Sequence, residues 1–281
     1  MSDCADNDKS ESLDGSPTIF KLMEEFVSNA IRANKKLKAI IEPVKFEYRA
    51  DQRVIDWLEK LPELSRDAMA VALRRGWFFG WSMSLNELAV LFRRLESASA
   101  EDIDLLLSEH HRNYFAHHRD LLLEAYPYRR AAINAACDAH LAGRDGYFLS
   151  VPVFLAQADG ALTEFLGLKR SALGVDKRGI AANGGSYDKL ATTRIQELLK
   201  DRPDALSLVY PIVVLKELDL LAPGGGKKDV YDAYLNRHAI LHGETSDYGT
   251  ELISLKAFAF LCHAALHVPS IVENFQETKD L

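Results

Sequence analysis

Arg237, His238 and His242 fall close together in the segment NRHAILHG, residues 236–243, just before the turn ETSDYG. A guanidinium is a permanent, fork-shaped donor suited to a phosphate, and an imidazole changes charge in the range where a proton has to move. Cutting RNA without a metal needs those functions: a base for the 2′-hydroxyl, an acid for the 5′-oxygen and positive charge on the phosphorane. His242 is the candidate acid and base, and Arg237 the candidate phosphate ligand. His238, four residues before His242 on the same helix face, is the candidate assistant. Five residues at about 100° each set Arg237 and His242 about 140° apart on an ideal helix, so the arginine must reach around. The plainer reading is a buried polar pair that fixes a helix end, with His242 bonding carbonyls near the C-terminus.

Several neighbours could support such a site. Asn236 precedes it, and Tyr248, Thr250 and Glu251 follow it. Thr250 reads most simply as the N-cap of the next helix, with Glu251 in its first turn. Asp159, with Gln157 and Glu164, interrupts an otherwise apolar segment, and a buried carboxylate needs a partner. Arg237 or His242 would serve; a capping role beside Gly160 is the alternative. Lys169, Arg170, Lys177 and Arg178 lie in a glycine-rich loop, where they are either RNA-contacting residues or mobile surface charges.

Two other patterns compete. The same arginine-to-histidine spacing recurs in RNYFAH, Arg112 to His117, with Asn113 in the polar slot. Two His-x-x-x-His pairs, His238 with His242 and His263 with His267, would bring four imidazoles to one metal if their helices were antiparallel neighbours. No Glu-x-x-His occurs, which removes a di-iron carboxylate bundle, and no metal or other cofactor is assigned. GGGKK, residues 224–228, lacks the first glycine and the Ser/Thr of a phosphate loop and reads as a linker.

The elements that must position these residues are helical. From Thr18 onward apolar residues recur at helical spacing, and period-two alternation is hard to find, which predicts an all-α, multi-helix bundle. A long helix over 17–43 ends at Pro43, and residues 49–81 read as two helices meeting near Pro62. Ser84 and Ser99 are N-caps of the next two, the second carrying Glu101 and Asp102 in its first turn and ending at Pro127. Residues 128–146 form another helix. Residues 147–167, apolar almost all round, belong at the bundle centre. Helices resume at 187–201 and 204–223, the latter kinked or broken at Pro211. Residues 229–243 close at Gly243, and 250–268 follow. The organisation is a disordered acidic tail over 1–17, a helical region over 18–125 and a C-terminal helical domain over 127–276.

Composition agrees with an ordinary globular chain: 281 residues, 48% hydrophobic and 27% charged. The net charge of -7 is partly local, because the tail holds Asp3, Asp6, Asp8, Glu11 and Asp14 against Lys9. A near-neutral body neither demands nor forbids a nucleic-acid partner. Cys4, Cys137 and Cys262 are too few for a disulfide framework, which points to a reducing cytoplasm. No run approaches the roughly 20 apolar residues that span a bilayer, and no signal peptide is read.

NRHAILHG fits the pattern Arg, polar residue, three residues, His. With YFLSVPVFLAQADGALTEFLG and LNRHAILHGETSDYGTELISLKAFAFL, it resembles the HEPN superfamily over roughly residues 127–268. That resemblance implies a C-terminal HEPN-like helical domain acting as a metal-independent endoribonuclease on RNA. It also implies a homodimer in which two copies of the motif line one cleft. A nuclease dangerous to its host implies a toxin or phage-defence setting, with an antitoxin or regulatory protein as partner. The alternative is a non-catalytic HEPN-like module that binds nucleotide, RNA or protein. Arg112 and His117 lie mid-helix outside the resemblance and read as a solvated polar face.

Overall fold

Local signals set most of the helix boundaries in the computed structural model, which describes residues 52–80, 83–176, 188–215 and 235–277. The chain divides after Leu58 into two compact units; of the first, only 52–58 are described, as the opening turns of the first helix, and the rest of the description concerns the second. The tail, the helix expected over 17–43 and the GGGKK segment lie outside the described residues.

Helix α1 (Gln52–Leu73) is unbroken, a correction to the two helices expected to meet at Pro62. The buried stripe Leu61, Ser65, Ala68, Met69, Ala72 and Leu73 runs on past the proline, and packing of that stripe outweighs the one lost backbone bond. After Leu73 the chain turns through Gly76, whose φ of 72° suits a residue without Cβ. Trp77, Phe78 and Phe79 then run into the core without helix, at most 2% exposed.

Helices α2 (Leu85–Ser97) and α3 (Ala100–Ala125) each open on a capping box, Ser84 with Glu87 and Ser99 with Asp102. A 3₁₀ turn at Pro127–Arg129 leads into α4 (Arg130–Ala142) and α5 (Gly146–Phe165). Pro127, where a domain boundary was expected, lies inside the second unit. Strands β1 (Val175–Asp176) and β2 (Asp188–Lys189) make one antiparallel pair, Val175 opposite Lys189. Helix α6 (Leu190–Leu198) follows directly, then α7 (Pro203–Leu208) and α8 (Tyr210–Val213), the break falling beside Pro211 as anticipated. Helices α9 (Arg237–Leu241), α10 (Glu251–Cys262) and α11 (Val268–Glu277) complete the chain, the last two joined by a π-helical turn, His263–His267. Among the described residues the fold is all-α apart from the two-residue strands.

Helix α5 packs chiefly on α4 and α10. Every residue of α10 from Ile253 to Cys262 is buried, and its Phe258 ring meets Phe115 of α3 at 4.2 Å and Phe154 of α5 at 5.3 Å. Lys256, fully buried in this apolar helix, pairs with Asp104 of α3 at 3.0 Å. Asp104 also accepts from Trp77 Nε1 at 2.7 Å and from Arg75. Burial pushes the Asp104 carboxyl up, but Lys256, Arg75 and Trp77 together hold it below its ordinary pKa, so it stays ionised.

The sequence reading missed one feature of α10. Glu251–Phe275 is long and apolar enough to cross a membrane by length and composition, although Lys256 and two histidines interrupt it. Of its apolar window 83% is buried inside the protein, as a central core helix requires. Pro269 cannot donate to the Ala265 carbonyl four residues back, and the Tyr126 hydroxyl donates to that oxygen instead, at 2.9 Å. The helix continues past the proline because another element fills the gap.

Candidate functional site

Helix α9 is a five-residue element with both ends closed by local chemistry. Asn236, outside the helix at φ -94° and ψ 97°, accepts the Ala239 N–H on its side-chain oxygen at 3.0 Å. The continuous helix expected over 229–243 is therefore corrected: a separate helix starts at Arg237, and residues 229–234 lie outside the described residues. At the other end Glu244 N–H donates to Ala239 at 2.8 Å and Gly243 N–H to Ile240 at 3.3 Å, the Schellman pattern. Gly243 takes the required positive φ, 72°.

The closed ends fix which way each motif residue faces. Arg237, in the first turn, points inward, and its Nη2 donates to Asp159 Oδ2 at 2.6 Å. His238 and His242 share the other side, ring centroids 4.2 Å apart, with His238 Nε2 3.4 Å from Glu244. His242 is exposed. Among the described residues no hydrogen bond or ion pair joins Arg237 to His242, in keeping with the roughly 140° between their positions.

Asp159 lies in the middle of α5 and does not cap a helix, so the capping alternative beside Gly160 is corrected. Its Oδ1 accepts from the Leu173 N–H and from Thr163, both at 3.3 Å, and its Oδ2 accepts from Ser171 at 2.6 Å as well as from Arg237. One buried carboxylate thus ties α5, the 171–173 turn and α9 together. The other two interruptions of the apolar helix, Gln157 and Glu164, both receive Arg129, at 3.0 and 3.2 Å.

Two donors at this site stay unfilled. Arg237 Nε is buried and has no hydrogen-bond partner among the described residues. Lys189, only 6% exposed, has no hydrogen bond or ion pair on its ammonium among the described residues. Burial, then the Arg237 charge, holds Lys189 below the usual lysine pKa, with Asp188 pulling the other way. Sequence reasoning missed Lys189. Its residue type matches its loop neighbours Lys169 and Arg170, which are exposed, and only the β1–β2 pairing turns it inward. Lys177 and Arg178 lie outside the described residues.

The remaining candidates are engaged elsewhere. Tyr248 packs edge-on against Phe148 at 5.3 Å, and the same ring covers Gly249, where a Cβ would sit 2.1 Å from Phe148 Cζ. Thr250 caps α10 by accepting the Ile253 N–H. Glu251 forms a two-point pair with Arg112, at 2.6 and 2.9 Å. The second Arg–His spacing therefore has its arginine neutralised at a partly exposed surface. The other histidines of α3 are mostly core: His111 donates to the Phe78 carbonyl at 3.0 Å and stacks on Trp77, and His118 is buried.

His263 and His267 are buried too, donating to the Phe79 and Leu208 carbonyls at 3.0 and 2.8 Å. Each has spent a ring nitrogen on backbone, and among the described residues no three His, Cys, Asp or Glu side chains gather as metal ligands.

Fold and site define an all-α protein with an inward Arg–Asp pair, a buried lysine and two outward imidazoles on one short helix. Comparison with protein-family models, curated proteins and solved structures returned no match, so the functional reading rests on these residues.

Proposed function

We propose that the protein is a metal-independent endoribonuclease of HEPN type, with Arg237 and His242 as its working pair and His238 assisting. One observation carries this reading. A five-residue helix, closed at both ends, sets two imidazoles side by side, His242 exposed and His238 half-buried, and on its other side an arginine with an unused buried donor among the described residues. A plain structural pair would account for Arg237 on Asp159 but gives no work to the exposed His242.

The chemistry is transesterification. The 2′-hydroxyl oxygen attacks the adjacent phosphorus while a base takes its proton, the bond from phosphorus to O5′ breaks, and an acid protonates the leaving oxygen. His242 handles the proton. His238 orients it or supplies the second proton-transfer group, and Arg237 stabilises the phosphorane charge. Because Arg237 and His242 face apart in one chain, the reading places the active cleft between two copies, His242 of one facing Arg237 of the other. It also places the enzyme in the cytoplasm, in a toxin or phage-defence setting under an antitoxin or other regulatory partner. Cys137 and Cys262, both buried free thiols, agree with a reducing compartment.

The test is RNA cleavage by the full chain in EDTA. Wild type should yield 2′,3′-cyclic phosphate ends, and Arg237→Ala and His242→Ala should not. A 3′-hydroxyl with a 5′-phosphate, or activity lost to the chelator, would sink the mechanism. Folded wild type that cuts no RNA would move the reading to the alternative, a HEPN-like module binding nucleotide, RNA or protein.

A further inference from the structure

We infer that Lys189 and Arg237 form one phosphate-binding site, with Lys189 the residue that holds the RNA phosphodiester against the Arg237 guanidinium. The choice of RNA as the source of the phosphate rests on the nuclease reading; the site itself does not.

The argument is one of donors without acceptors. A buried cation is tolerated when a carboxylate answers it, as Asp104 answers Lys256 elsewhere in this fold. Arg237 is answered by Asp159, whose two oxygens already take four hydrogen bonds, and Lys189 feels the Asp188 carboxylate beside it in sequence without a hydrogen bond or ion pair on its ammonium among the described residues. Arg237 Nε is left buried without an acceptor, and the Lys189 ammonium has none among the described residues. The two cations belong to one locality. The 171–173 turn that bonds Asp159 also bonds the start of α6, with Ala172 O receiving Ala191 N–H at 2.8 Å and Gly174 O receiving Leu190 N–H at 2.9 Å. Val175 then pairs with Lys189 itself.

Those same bonds rule out a simpler explanation. The first amides of α6 are consumed by loop carbonyls, so the anion is not held by a helix end; side-chain donors must do it. Burial and then the Arg237 charge hold Lys189 below its usual pKa, with Asp188 pulling the other way, which is consistent with two cations held close together. Two neighbouring cations, one a fork and one a point charge with three donors, suit the several oxygens of a phosphate.

A residue kept for binding at the expense of the empty fold has a distinctive signature. Replacing Lys189 by methionine keeps the stem and removes a charge that burial and the neighbouring Arg237 both disfavour, so the unliganded protein should gain stability while losing its ligand. A structural lysine would show the reverse. Thermal unfolding of the full chain in sodium phosphate, against sodium chloride at matched ionic strength, reads this directly for wild type, Lys189→Met and Lys189→Arg. Phosphate should raise the wild-type midpoint beyond chloride. Lys189→Met should begin a few degrees higher and show no phosphate response, and Lys189→Arg should retain part of it. In the RNA assay, kcat/KM of Lys189→Met should fall about 100-fold.

The inference is overturned if phosphate acts no better than chloride on wild type, if Lys189→Met responds to phosphate like wild type, or if Lys189→Met starts less stable. A phosphate response abolished by Lys189→Met, in a protein that cuts no RNA, would support the site and dismiss the nuclease. RNA cleavage unaffected by Lys189→Met, with no phosphate response, would keep the nuclease and dismiss the site.

Discussion

Arg112 with His117 and Arg237 with His242 share one spacing and differ in everything around it. Arg112 sits in the middle of a 26-residue helix, half in solvent, with both oxygens of Glu251 bonded to it. Arg237 opens a five-residue helix, reaches a carboxylate that three other donors share, and among the described residues keeps a buried donor unused, with Lys189 as a neighbouring cation. A spacing specifies which residues are present, but the neighbouring charges decide whether a cation is spoken for. In this molecule both arginines meet a carboxylate, and of the two it is Arg237 that keeps a buried donor unused among the described residues.

The largest expected effect tests that contrast directly. Arg237→Ala should lower RNA cleavage in EDTA by about 10²- to 10³-fold, the loss typical of removing one donor to a developing oxyanion, while Arg112→Ala stays near wild type. Equal losses in the two variants would erase the distinction.

Stability separates the pairs in the next rank. Asp159→Ala leaves Arg237 buried without any carboxylate and frees the 171–173 turn, and should cost about 3 kcal/mol in denaturant unfolding. Glu251→Ala removes a partly exposed partner and should cost less than about 1 kcal/mol. Similar costs for both would mean that Asp159 and Arg237 are better hydrated than their burial indicates.

Acid should sharpen the difference between core and exposed histidines. Burial pushes His118 down to about 3, His110 and His267 to about 4, and His111 and His263 well below the ordinary value. These rings stay neutral in the folded chain but protonate near pH 6.5 when unfolded. Their contribution to stability is thus intact above about pH 6.5 and falls as pH drops toward 4, by about 1.4 kcal/mol per pH unit for each ring. Unfolding free energy measured from pH 7.5 to 5 should fall steeply; a flat profile would contradict the buried neutral state. The smallest effect is local. Gly243→Ala has open space around it but a φ of 72°, and should cost about 1 kcal/mol by straining the end of α9.

What the sequence made legible was what adjacent residues decide among themselves. The caps at Ser84, Ser99 and Thr250, the glycine stop at 243 and the break at Pro211 follow from bonds made within a few residues. The central place of α5 followed from its apolar circumference, and Asp159 drew notice because a carboxylate in such a helix needs a partner. Lys256 carries the same signal in α10 and was passed over. Lys189 carries none, because its burial comes from a strand pairing with Val175 across a loop. The uninterrupted run through Pro62 was also hidden, since the packing that sustains it comes from elements distant in sequence.

The bond between Asp159 and Arg237 has a kinetic consequence. It joins residues 78 positions apart, whereas α4 and α5 meet through a short hairpin. Contacts that close so long a loop form late on the folding route, after local helix pairs have collapsed. Removing Asp159 should therefore accelerate unfolding and leave the folding rate nearly unchanged. In hydrogen exchange the Leu173 amide should open well before the amides of α10. The part of the protein nearest its candidate chemistry is the last to be assembled and the first to come apart.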